Sequence, residues 1–298
     1  MTKLIHLSDI HFGANDPALV EAVERRLDAE KPDLVVISGD FTQRARTEEF
    51  AAAGQFLERI RTAGHDVLAV PGNHDIPLYD VFRRFLSPLT RYRRFIDETL
   101  CPFHEVGGVA VLGINTARSL TFKGGNINHE QVDFIRRTFA DVPDDRCKVI
   151  VTHHPLFALP VTGPLTGPET GPVTGPGTAS PALGKPIDDD KRAIEMVEQL
   201  GVDMLLAGHN HRASTSQATD LVKGAGKVLV VQAGTATSTR TRDEQQSFNI
   251  IDVDARGITV KLERWDGSTY AEVDVETFKR SGEHWALADG TDVAEPAA

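Results

Sequence analysis

Five short polar clusters carry residue types that bind divalent cations and move protons. They are Asp9-Ile10-His11, Gly39-Asp40, Gly72-Asn73-His74-Asp75, His153-His154-Pro155 and Gly208-His209-Asn210-His211. Six of the eleven histidines fall inside them, which is too concentrated for residues scattered through a core. Asp9 and His11 are two apart, as are His209 and His211, and an extended chain puts such pairs on one side. With Asp40, Asn73 and His153 they offer seven oxygen or nitrogen donors and no thiolate. Mixed carboxylate, imidazole and amide donors suit manganese, iron, zinc or cobalt. Seven side chains are too many for one ion and suit two, with Asp40 as the carboxylate that bridges them. His74 is then spare and can donate a proton, with Asp75 placed to hold its tautomer. His154 reads equally as a substrate contact or as packing.

Two divalent ions outweigh the charge of Asp9, Asp40 and a bridging hydroxide, so the centre favours an anionic phosphoryl group. The ions would clamp its oxygens and lower the pKa of a bound water.

Each cluster directly follows an apolar run, and so reads as the carboxyl end of a buried strand. That is where layered α/β folds bind ligands. Leu4 to Leu7, Leu34 to Ile37 and Val67 to Val70 are three such runs. Between them Pro17 to Glu30 and Thr47 to Thr62 show helical stripes. This alternation predicts a mostly parallel sheet covered by helices. Later strands are expected at Val109 to Ile114, Lys148 to Val151, Met204 to Ala207 and Val228 to Gln232. Asn128 and Gln131 form a capping box for a helix between the first two. Phe248 to Val253 and Ile258 to Trp265 form a hairpin, read as part of a second sheet packed against the first.

Leu78 to Glu98 reads as two short helices around Pro88. Its arginines are expected in solvent and its aromatics in the core, or else the arginines form a basic rim that steers a phosphate-bearing substrate. From Val161 to Gly177, Thr-Gly-Pro recurs four times. Such composition supplies no core, so residues 160–187 are expected as a loop beside the site. A helix follows from Asp188 to Leu200. Residues 1–281 are expected as one domain and 282–298 as a flexible acidic tail.

The formal charge of −11 disfavours nucleic acid and anionic membranes as general partners. Two cysteines, neither in a metal-like spacing, indicate a reduced protein without a disulfide scaffold. The first residues show no signal-peptide pattern and no apolar run is long enough to span a bilayer, so a cytoplasmic location is expected. A small phosphodiester is the expected partner, and a homodimer is left open.

The order Asp9-x-His11, Gly39-Asp40, Gly72-Asn73-His74-Asp75, His153 and Gly208-His209-x-His211 resembles the calcineurin-like metallophosphoesterase superfamily. The resemblance covers residues 1 to about 265, and the spacing and short N-terminus resemble the bacterial class III cyclic nucleotide phosphodiesterases, relatives of glycerophosphodiesterases. It implies a four-layer αββα sandwich, in which two mixed β-sheets are flanked by helices. It implies that Asp9, His11, Asp40 and His211 hold one metal and Asp40, Asn73, His153 and His209 the other. Asn73, His74 and His154 would face the substrate. The implied reaction is attack of a metal-bound hydroxide on cyclic AMP or a small diester, with His74 catalytic. Glycerophosphodiesterase or broad phosphatase activity is the alternative. A UDP-diacylglucosamine-type pyrophosphohydrolase ranks lower because that resemblance implies arginine at position 74. A nuclease and a non-catalytic scaffold rank lower still.

Overall fold

The computed structural model describes residues 1–119, 125–156, 200–217, 228–240, 244–281 and 284–288. The loop expected at 160–187 and the helix expected from Asp188 lie outside them, apart from Leu200.

In chain order the first elements are β1 (Thr2–Leu7), α1 (Pro17–Glu30), β2 (Leu34–Ile37), α2 (Thr47–Thr62), β3 (Val67–Ala69), α3 (Val81–Leu86) and α4 (Thr90–Phe95). Then come β4 (Phe103–Val106), β5 (Val109–Gly113), α5 (His129–Ala140), β6 (Cys147–Val151), β7 (Met204–Ala207), β8 (Ser214–Gln217) and β9 (Leu229–Gln232). The described chain closes with β10 (Ser247–Asp254), β11 (Gly257–Trp265), β12 (Tyr270–Ser281) and β13 (His284–Leu287).

Two mixed sheets result, in the orders β13-β12-β11-β10-β1-β2-β3 and β4-β5-β6-β7-β9-β8. β1, β2 and β3 run parallel, as do β5, β6, β7 and β9. Period-two alternation sorts their apolar side chains into layers. Leu4, Leu34, Val36 and Leu68 from one sheet meet Val111, Val149, Met204 and Leu206 from the other, forming the central core. Ile5, Leu7, Val35 and Ile37 point the opposite way, onto Leu27 of α1 and Phe50 and Leu57 of α2. Ala110, Leu112, Ile150 and Leu205 cover the far side of the second sheet with Ile135 and Phe139 of α5. This is the αββα sandwich. Strands buried on both faces are apolar throughout, which is why they stand out in the sequence.

Helix starts follow local chemistry. Asp16 caps α1 by accepting from Ala18 N at 2.9 Å, with Pro17 at the first position, where its missing N–H costs nothing. Asn128 and Gln131 form the expected capping box of α5.

Three expectations change. The late hairpin β10–β11 does not join the second sheet. β10 pairs antiparallel with β1, Leu4 opposite Ile251, because its apolar residues complete the first sheet on both faces. The tail expected from Gly282 contains a described strand. β13 pairs with β12, burying Trp285 among the central-core residues. The third change is in α3, which is inverted relative to the usual amphipathic pattern. Arg84 is buried at 4 % exposure and donates to Pro77 O at 3.1 Å, while Phe82 and Leu86 are each 80 % exposed. α4 follows expectation, with Tyr92 buried against Phe41. Among the described residues no helix is long and apolar enough to cross a membrane.

Candidate metal centre

β1, β2 and β3 from one sheet and β6 and β7 from the other end on the same side of the sandwich, and the five clusters meet there. The expected strand alternation does not orient them, because every strand stops before its cluster. Asp9, His11, Asp40, His209 and His211 all have left-handed backbone, with φ of 52, 52, 55, 72 and 56°. Only Lys31 and Ala45 share that conformation among the described non-glycine residues. Asp and His tolerate it better than most residues, but it stores strain, and such strain concentrates at working sites. Loop hydrogen bonds hold it: Asp9 N donates to Gly39 O at 3.1 Å and His11 N to Asp40 O at 2.9 Å. Thr235 Oγ1 donates to Asp9 O at 2.7 Å from the strand-end loop after β9.

The donor atoms converge in three overlapping groups, one of them His153, His154 and His209. Asp9, His11 and His211 bring their ligand atoms within 4.8 Å of one another, and so do Asp9, Asp40 and His153. His211 Nε2 lies 3.2 Å from Asp9 Oδ1, and His11 Nε2 lies 3.5 Å from the same atom. Asp40 Oδ2 stands 3.7 Å from His11 Nε2 and 3.4 Å from His153 Nε2. Its Oδ1 is taken by His74 N at 2.8 Å. Asn73 Oδ1 lies 3.1 Å from His153 Nε2 and 3.0 Å from His209 Nδ1. All seven expected donors are therefore brought together. Asp9, His11, Asp40, His153 and His211 are buried, whereas Asn73, His74 and His209 are part-exposed and form the mouth.

Hydrogen-bond chemistry shows that a cation fits. A carbonyl only accepts, so each ring nitrogen facing one must carry a proton. His11 Nδ1 donates to Thr42 O at 3.2 Å and His153 Nδ1 to Ser38 O at 2.7 Å. In the neutral rings both Nε2 atoms are then lone pairs pointing at carboxylate oxygens. Asp9 Oδ2 accepts from Ser8 Oγ at 2.6 Å and His209 N at 3.0 Å, while its buried Oδ1 has no hydrogen bond. Lone pairs converging without protons need either protons or metal ions between them. Although burial opposes charging, the Asp40 carboxylate lifts His153 to about 9. Burial likewise pushes the Asp9 carboxyl up, but His211 and His11 hold it below the usual carboxylate range.

His74 sits 4.9 Å from His11, ring centre to ring centre, and its Nδ1 donates to Gln43 O at 2.8 Å. Asp75 does not hold this imidazole. Its carboxylate accepts from Gly72 N at 2.9 Å, Thr42 N at 3.0 Å and Thr42 Oγ1 at 3.0 Å, tying the β3 loop to the β2 loop. A carboxylate directly after the imidazole points back into the turn, and the carbonyl of Gln43 reaches His74 instead. Burial, then the Asp40 charge, raise the Asp75 carboxyl to about 6. Gln43 and Ser8 carry no signal in the sequence, because one contributes a backbone carbonyl and the other a serine beside a motif. His154 is as fully buried as Asp9 and His153, and one of its ring nitrogens lies within 4.8 Å of donor nitrogens of His153 and His209. Its Nδ1 pairs with Thr116 Oγ1 at 2.9 Å, and its ring lies 4.7 Å from that of His209.

Comparison with known proteins bears on the family and the fold. A family described as calcineurin-like phosphoesterase matches residues 2–213. The glycerophosphodiester phosphodiesterase GpdQ of Enterobacter lignolyticus is 27 % identical over 164 residues, 51 % of this chain and 57 % of that protein. The UDP-2,3-diacylglucosamine pyrophosphatase LpxG of Chlamydia trachomatis is 32 % identical over 78 residues, 26 % of this chain and 23 % of that protein. The chain thus spans little more than half of the first relative and under a quarter of the second. Among solved structures, a purple acid phosphatase from yellow lupin superposes with a TM-score of 0.63 at 13 % identity, over 91 % of this chain and 52 % of that one. A dimetal phosphatase from Danio rerio gives 0.60 at 12 % identity, over 94 % of this chain and 99 % of that one. At such identities the superpositions speak for the fold, and the family match speaks for descent: the chain belongs to the calcineurin-like phosphoesterase family.

Proposed function

We propose that the protein is a dimetal phosphodiesterase acting on small diesters, with 3′,5′-cyclic AMP and glycerophosphodiesters as the leading candidates. The observation that carries this reading is Asp40 Oδ2, buried between His11 Nε2 and His153 Nε2 at 3.7 and 3.4 Å. One oxygen facing two donor groups is the arrangement a shared ligand requires. In this reading Asp9, His11, Asp40 and His211 hold one cation, and Asp40, Asn73, His153 and His209 the other. Bound cations supply charge for the phosphoryl oxygens and acidify water.

The remaining work falls to the chain. In this reading the phosphoryl group enters at the half-buried mouth of Asn73, His74 and His209. His74 is pinned through Nδ1 by the Gln43 carbonyl, so Nε2 is the atom that exchanges a proton. Protonated there, it delivers the proton to the leaving oxygen. His154 positions His153 and His209 by packing.

The partial match to the pyrophosphatase relative supports a second reading, in which the bond broken lies between two phosphates. The histidine at position 74 favours the first. Turnover of cyclic AMP, glycerophosphocholine, bis-p-nitrophenyl phosphate, p-nitrophenyl phosphate and UDP-diacylglucosamine by the manganese-loaded protein tests both. Diesters should outpace the monoester by at least tenfold. Faster cleavage of the monoester than of every diester would remove the proposal, and cleavage of the UDP compound alone would install the second reading.

A further inference from the structure

Among the described residues, six of the eleven exposed large apolar side chains lie within nine positions: Leu78, Tyr79, Val81, Phe82, Phe85 and Leu86. Single exposed hydrophobes need no explanation, but a contiguous cluster marks an interaction surface. The cluster is oriented by the fold. Asp80 caps α3 by accepting from Arg83 N at 3.0 Å, and the buried Arg84 is fastened to Pro77 O, so the apolar side is turned outward. Only three residues separate Leu78 from His74 at the mouth.

Basic side chains accompany it. A cavity of 360 Å³ beside α3 is lined by Arg83, Arg91 and Arg94 and by the hydroxyls of Thr47, Ser87 and Thr90, with Asp75 and Pro77 on its wall. Among the described residues neither Arg91 nor Arg94 has a carboxylate partner. Arg91 donates to Ala45 O at 2.6 Å and Arg94 lies over the Phe95 ring. Arg83 faces only the exposed Asp80, at 3.3 Å. Three arginines lining one cavity, two of them without a carboxylate partner among the described residues, stand out in a chain of net charge −11.

A second copy of the chain fits this surface poorly. A two-fold contact puts the same patch on both sides and would set these arginines against each other. A plane of anionic headgroups meets both features, taking apolar side chains into its acyl boundary and arginines at its phosphates. The acidic remainder would be repelled, which orients the molecule. We propose that the α3–α4 face docks on an anionic lipid bilayer, with Val81, Phe82, Phe85 and Leu86 entering the headgroup boundary and Arg83, Arg91 and Arg94 facing lipid phosphates. Docking is independent of the phosphodiesterase reading. Its consequence, that diesters presented at a lipid surface reach the mouth, rests on that reading.

Vesicle flotation of the full-length, metal-loaded protein tests it, with vesicles of phosphatidylcholine alone or mixed equally with phosphatidylglycerol. The protein should float with the mixed vesicles, not with phosphatidylcholine alone, and the binding should weaken as salt rises. Arg83→Gln and Arg94→Gln should each lower binding roughly fivefold, and the double variant Phe82→Ser/Leu86→Ser by more than tenfold. These exposed positions should leave melting temperature, metal content and bis-p-nitrophenyl phosphate turnover unchanged. Failure to float with the mixed vesicles, or unchanged flotation of the double variant, would overturn docking without touching the phosphodiesterase reading. So would displacement by soluble glycerophosphate at the same phosphate concentration, or a wild-type dimer that the double variant converts to monomer in light scattering.

Discussion

Nε2 of His11 and Nε2 of His211 lie 3.4 Å apart, although 200 residues separate them in the chain. Their rings are nearly parallel, with centres 5.1 Å apart. Two imidazole nitrogens at that distance, both aimed at the Asp9 carboxylate, form a site that costs energy until something positive lies between them. Removing metal should therefore soften the fold. Chelator-treated protein should unfold at lower urea, and restored cation at about a thousandfold over its Kd should return roughly 4 kcal/mol for each site. Unchanged urea midpoints would show that the site is satisfied without cations.

Asp40→Ala should remove both metals together, because its Oδ2 faces His11 and His153 alike. Elemental analysis after desalting is the check. One full equivalent retained would mean that the carboxylate belongs to one ion.

The same carboxylate can be displaced without deleting a donor. A Cβ on Gly72 would lie 2.1 Å from Asp40 Oδ1 and 2.4 Å from Asp40 N. Gly72→Ala should therefore lose metal nearly as thoroughly as Asp40→Ala while keeping its far-UV circular dichroism. Full metal content in this variant would contradict the tight approach of the two loops.

How far the sequence carries can be judged from these residues. The order and identity of the donors are legible because each follows an apolar run, and strands buried on both faces announce themselves. Their aim is not. Alternation along a strand pairs Asp9 with His11 for the wrong reason, since both are left-handed residues beyond the end of β1. Asp75 adjoins His74 in sequence, yet its bonds go to Thr42 and Gly72, and the carbonyl that fixes His74 belongs to Gln43. Backbone carbonyls leave no mark on residue type. Neither does the sheet to which a hairpin attaches: β10 reads the same whether it lies beside β1 or in the second sheet. The inversion of α3 is hidden for a related reason, because Arg84 is held by a carbonyl that Pro77 presents only in the fold.

His74→Ala should keep both metals and lose about 10²–10⁴ in diester turnover, the range for a positioned proton donor. The loss should shrink when the leaving group is p-nitrophenol, which leaves without a proton. Equal losses for good and poor leaving groups would move His74 from the leaving oxygen to the phosphoryl oxygens.

His6 predicts a pH effect outside the metal cluster. It is buried, and its Nε2 pairs with Ser38 Oγ at 2.9 Å. Burial outweighs the pull of Asp9 and lowers its pKa to about 3 from 6.5. A histidine lowered on folding takes up its proton first in the unfolded chain. Its contribution is therefore intact above 6.5 and is lost as pH falls toward 3, at about 1.4 kcal/mol per pH unit. With chelator present, the stability gap between wild type and His6→Gln should narrow from pH 7 to pH 5. A gap constant over that range would mean that His6 charges freely in the fold.

In the proposed mechanism two cations share Asp40 and make this centre a diesterase. Manganese titration of metal-stripped protein, following bound metal and bis-p-nitrophenyl phosphate turnover in the same samples, tests it most directly. Negligible turnover is expected without metal, with two equivalents bound at saturation and activity that rises with the second. Diester turnover in the stripped protein, or full activity at one equivalent, would contradict it.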